Sequence, residues 1–153
     1  MANTRNLTTA VVDHVRDVLS AQYQTVFHNR RMRLQPGGYH EFEAVSDNGR
    51  IVASVKTAAG NGRHPAGTIS NCLAALYFLS LVRAHRKILV LTSPEFHAMF
   101  MIAMDGKIPH GVEIMHVPLP ADVQARVAAV QQAGTDETQP ALDAEELRAV
   151  GGH

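Results

Sequence analysis

The stretch Tyr39–Thr57, YHEFEAVSDNGRIVASVKT, decides how this chain is read. It holds two runs that suit strands, 39–46 and 50–57, around Asp47-Asn48-Gly49. Asn-Gly predicts a tight hairpin, because both residues accept the positive φ of a type I′ turn. With Asn48 and Gly49 at its centre, Glu43 faces Ser54 and Glu41 faces Lys56. Side chains alternate between faces with period two, so all four are expected on one face, within about 5–8 Å of one another. A slip of one residue would instead turn Phe42 and Ala53 to that face.

Working outward, Val11, Val12, Val15, Val18 and Leu19 recur at helical spacing and predict an amphipathic helix over 7–21. A short strand is expected at 23–27, followed by a basic segment, His28 to Arg33, and by the breaker Pro36-Gly37-Gly38. Beyond the hairpin, residues 58–67 are rich in Gly, Ala, Asn and Pro and predict a loop carrying Arg63 and His64. An apolar helix is expected over 68–84, and the run KILVLT, 87–92, as a buried central strand. Ser93-Pro94 suits the cap and first turn of another helix. A strand over 112–117 and a helix over 122–132 complete the pattern. This order predicts an α/β domain over 1–133, with a central mixed sheet flanked by helices. Residues 134–153 are polar and acidic and are expected to form a flexible tail.

Hydrolysis of a phosphodiester at neutral pH requires a metal that neutralises developing charge, oxygen ligands for it, and a group that orients the attacking water. Carboxylates suit hard Mg²⁺, and a neighbouring lysine holds the water or the phosphate. The string EFEAVSDNGRIVASVKT resembles the core of the PD-(D/E)XK, or restriction-endonuclease-like, nuclease superfamily. In that family an acidic residue on one strand precedes (D/E)-x-K on the next. Glu43 matches the first acid and Lys56 the lysine, while Ser54 takes the place of the second acid.

The resemblance implies an αβββαβ core and a Mg²⁺- or Mn²⁺-dependent nuclease acting on DNA or RNA. It implies Glu43, Ser54 and Lys56 as catalytic residues, with Glu43, Glu41 and the carbonyl of Val55 around the metal. Some members with Ser-x-Lys bring a carboxylate from the following helix, but the corresponding place here holds Ser70 and Asn71. Glu41, or Asp13 or Asp17 of the first helix, is then the expected source of the second ligand. The alternative is a catalytically degenerate module that binds nucleic acid or a partner protein. In a third reading the hairpin is ordinary surface and Glu41 opposite Lys56 is a solvated pair worth under about 1 kcal/mol.

Charge is unevenly distributed. Residues 1–107 hold 12 of the 14 Lys and Arg but 7 of the 14 Asp and Glu, a net +5, against −5 for the remainder. A basic body with an acidic tail suits a phosphate-binding surface, or a tail that lies back on that surface. Arg30, Arg31, Arg33, Arg63 and His64 are the candidates for contact with nucleic acid. The chain leaves a homodimer open. Its single cysteine, Cys72, excludes a disulfide framework and a cysteine-based zinc site. Nine histidines show no HxH, HxxH or HExxH spacing, which speaks against a histidine zinc site. The first ten residues, MANTRNLTTA, lack the apolar centre of a signal peptide, and the longest apolar stretch, 72–82, falls short of the roughly 20 residues that span a bilayer. A cytoplasmic location without membrane insertion is therefore the expectation.

Overall fold

The computed structural model describes residues 2–57 and 65–130. Helix α1 (Ala2–Tyr23) leads into β1 (Phe27–Arg33), β2 (Tyr39–Ser46) and β3 (Ile51–Lys56). Helix α2 (Pro65–Leu81), β4 (Arg86–Leu91), α3 (Pro94–Ala103) and β5 (Val112–His116) follow. A fourth helix, α4, covers 121–130. The five strands form one mixed sheet in the order β1-β2-β3-β4-β5. β2 is antiparallel to β1 and β3, and β3, β4 and β5 run parallel. The fold class is α/β, as the alternation of strands and helices predicts.

Each face of the sheet has its own core. On one, α1 inserts Leu7, Val11, Val15 and Leu19 at four-residue spacing, above Phe27, Ala44, Ala53, Val55, Ile88 and Val90. α4 adds Val123. On the other, Cys72, Ala75, Leu76 and Leu79 of α2 and Phe96 and Phe100 of α3 cover Phe42, Val45, Val52, Leu89 and Leu91. Burial of each large side chain contributes about 1.5–3 kcal/mol. β4 is apolar on both faces because helices cover both. Ser93 caps α3 as expected: its hydroxyl accepts from the Phe96 N–H at 3.2 Å, and Pro94 occupies the first turn.

Two local expectations are corrected. The strand expected at 23–27 is displaced, because α1 runs on to Tyr23 and Gln24 ends it with φ of 54°. The strand is instead the basic segment itself, a sheet edge whose backbone pairs, among the described strands, only with β2. The hairpin turn is not type I′. Gly49 N–H donates to the Ser46 carbonyl at 2.8 Å, so Asp47 and Asn48 are the central residues, and of this turn only Gly49 has positive φ, 72°. The Asn48 side-chain oxygen accepts from Ser46 Oγ and the Arg50 N–H, which closes the loop without left-handed φ at Asn48. Next to the turn the expected register holds, with Ala44 opposite Ala53 and Val45 opposite Val52.

Of the expected loop 58–67, residues 58–64, with Arg63 and His64, lie outside the described residues, as does the tail 134–153, and residues 65–67 instead form the start of α2, which ends at Leu81 rather than at 84. No helix among the described residues is long and apolar enough to cross a membrane.

Candidate functional site

β3 positions Ser54 and Lys56. Val52 packs under α2, whereas Ala53 and Val55 pack under α1. Alternation therefore points Ser54 and Lys56 to the α2 face. Ser54 is 2% exposed there and Lys56 half-buried. The Lys56 ammonium is near enough to favour ionisation of Cys72, but burial dominates and pushes that thiol up to about 11. Cys72 is thus a buried, protonated packing residue.

β2 positions Glu41 and Glu43, and its alternation is broken. β1 and β2 pair His28 with Val45 and Arg30 with Phe42, so one β1 residue, Asn29, stands opposite two on β2, Glu43 and Ala44. This is a β-bulge. Upstream of it, His40 and Phe42 face α2: the His40 ring stacks on Phe78 at 3.9 Å and meets Phe42 edge-on at 4.8 Å. Glu41 therefore faces the α1 side, where Ala44 also packs. Glu43 stands beside Ala44 in the bulge, and its carbonyl accepts a 2.8 Å hydrogen bond from Arg16 Nε of α1. A bulge carbonyl turned out of the ladder needs such a partner.

The expectation that Glu41, Glu43, Ser54 and Lys56 share one face is corrected by this bulge. Ala44 and Val45 keep the expected register with Ala53 and Val52, but the extra residue breaks the alternation upstream of Ala44, so Glu41 occupies the α1 face and the serine and lysine the α2 face. Val55, expected to offer its carbonyl beside Glu43, has its side chain in the core under α1. Among the described residues no ion pair joins Lys56 to Glu41 or Glu43. Nor does any group of three His, Cys, Asp or Glu form there that would hold a metal ion.

The arginines of β1 divide in the same manner. Arg30, opposite Phe42, lies on the α2 side, with Nη1 3.6 Å from the position a Cβ on Gly49 would take. Arg31 and Arg33 stand opposite Glu41 and Tyr39 on the other side, and the Arg31 guanidinium lies 4.5 Å over the Tyr39 ring. All three arginines and Tyr39 are exposed. The edge thus presents cations beside an open aromatic ring.

The structure also joins residues that no spacing in the sequence unites. His97 of α3 stacks on His116 of β5 with ring centroids 5.3 Å apart. Desolvation, and secondarily His116, lowers the His97 pKa below its ordinary value. His116 Nε2 is buried with no hydrogen-bond partner among the described residues. At the opposite end of the parallel strands, Arg50, Arg83, His85 and Lys87 line one cleft. The dense basic run RAHRK, 83–87, was the available signal for that cluster.

No family model, curated protein or solved structure matches the chain.

Proposed function

We propose that this chain is a nucleic-acid-binding module with a restriction-endonuclease-like fold whose nuclease motif is degenerate. The order α-β-β-β-α-β, a mixed sheet and helices on both faces support the fold reading. The observation that carries the functional reading is the exposed β1 edge, with Arg31 and Arg33 beside Tyr39 on one side and Arg30 on the other. Guanidinium groups recognise phosphate oxygens through paired hydrogen bonds, and an open tyrosine ring offers a base a surface to stack on. The bulge at Glu43 and Ala44 favours binding over cleavage, because upstream of it Glu41 lies on the face opposite Lys56.

Binding of labelled single- and double-stranded DNA and RNA, measured at several salt concentrations, tests the proposal. Neutralising two phosphates with Arg31 and Arg33 contributes about 1.4–1.8 to the slope of log affinity against log salt. The Arg31→Ala/Arg33→Ala variant should bind more weakly, with the slope reduced by about that amount. Tyr39→Ala should weaken single-strand binding more than duplex binding. Affinity and slope unchanged in all of these variants would refute the proposal.

A further inference from the structure

A cleft of about 400 Å³ opens where the β2–β3 turn, the turn after β1 and the α2–β4 connection meet, lined by Gln35, Gly49, Arg50, Arg83, His85 and Lys87. Arg50, Arg83 and Lys87 contribute three fixed positive charges and His85 a fourth when protonated, while among the described residues no carboxylate lines the cleft. Among the described residues none of these four is held in an ion pair. The nearby cation Arg86 is different: it is paired with Glu113 at 3.0 Å and lies over the Tyr23 ring. The turn carboxylate Asp47 is engaged by His28 at 3.5 Å.

The backbone around the cleft is stitched together. The N–H groups of His85 and Arg86 both donate to the Arg50 carbonyl, at 2.8 and 3.0 Å, and Gln35 N–H donates to the Leu81 carbonyl at 2.9 Å. The cations consequently project from a fixed rim, and assembling them costs no further ordering of backbone. Gathering like charges without counter-ions is unfavourable unless an anion compensates, and concave surfaces concentrate the field. Arg30 approaches the rim at Gly49 and makes the positive surface continuous with β1.

We infer that this cleft binds a polyanionic phosphate ester, with Arg50 and Arg83 as paired donors and Lys87 as a point charge on the same ligand. Arginine supplies the planar fork that phosphate oxygens accept, and three fixed charges match two or three consecutive phosphates better than a single carboxylate. Those phosphates come either from a free polyphosphate compound or from a nucleic-acid strand. The inference stands without the nucleic-acid reading, because the free compound alone satisfies the chemistry.

Titration calorimetry of the full chain with inorganic triphosphate, and separately with a short single-stranded oligonucleotide, tests it. The Arg50→Gln/Arg83→Gln and Lys87→Gln variants are compared with Arg86→Gln, which lies outside the cleft. Triphosphate binding weakened tenfold or more by the double variant, with Arg86→Gln unchanged, supports the site with a free polyphosphate as its ligand. The same loss for the oligonucleotide supports it with a strand as the source. If neither probe binds, or the cleft variants match wild type with both probes, the inference is overturned. Oligonucleotide binding sensitive only to Arg31→Ala/Arg33→Ala, with no triphosphate binding, also overturns it, while leaving the reading of the β1 edge intact.

Discussion

The outer ribbon β1–β2 and the inner pair β3–β4 belong to one sheet but answer to different constraints. In β4 every residue from Ile88 to Leu91 is buried, alternately under α1 and under α2, so one step of slippage would misplace apolar side chains on both faces. β1 is exposed from His28 to Arg31, and its buried anchor is Phe27. The ribbon therefore tolerates an extra residue at Glu43 and Ala44 that the inner pair would not. Irregularity collects where packing is one-sided, and there the basic residues are free to meet a ligand.

Truncation of core residues should break the comparison most strongly. Phe42 is fully buried under α2 and anchors the ribbon, so Phe42→Ala should cost about 3–5 kcal/mol, comparable with about 2–5 kcal/mol for Leu89→Ala in β4. Equilibrium unfolding in denaturant measures both. Exposed Glu41→Ala should stay within about 0.5 kcal/mol by the same method.

A smaller effect isolates the bulge. Arg16 Nε holds the Glu43 carbonyl, so Arg16→Ala should destabilise by about 1–2 kcal/mol and raise amide exchange at residues 42–45 above that of β4. Equal protection of both segments in the variant would mean that Arg16 does not pin the bulge.

The smallest expected effect is on pH dependence at the His97–His116 pair. The folded pKa of His97 lies below its ordinary 6.5, so the unfolded chain takes up the proton first as pH falls. The stabilisation is complete above 6.5 and declines as pH drops through the folded value. His97→Gln should flatten that decline in thermal unfolding below pH 6.5, and an unchanged profile would rule out this source.

Much of this contrast was legible in the sequence. KILVLT announced a strand buried on both faces, Ser93-Pro94 announced the start of a helix, and Asn48-Gly49 announced the hairpin. The bulge was not legible. Glu-Phe-Glu-Ala-Val alternates acceptably in either phase, and what chooses between them is tertiary: Phe42 filling the space under α2, His40 stacked on Phe78, and Arg16 waiting at a carbonyl. The site residues Glu41, Glu43, Ser54 and Lys56 were read from a local pattern that assumes unbroken alternation, so one extra residue was enough to take Glu41 off the face of Ser54 and Lys56. The cationic cleft was hidden for a different reason. Arg50 lies far along the chain from Arg83, and only the return of the α2–β4 connection to the hairpin turn brings them together.

The proposal that the nuclease motif is degenerate is tested most directly by incubating labelled DNA and RNA with the chain and Mg²⁺ or Mn²⁺, following binding and cleavage in the same samples. The account predicts salt-sensitive binding, intact substrate, and no change in either on Lys56→Ala or Glu43→Ala. Cleavage by the wild-type chain that both substitutions abolish would contradict it, because the two residues would then have to act on one metal from one face.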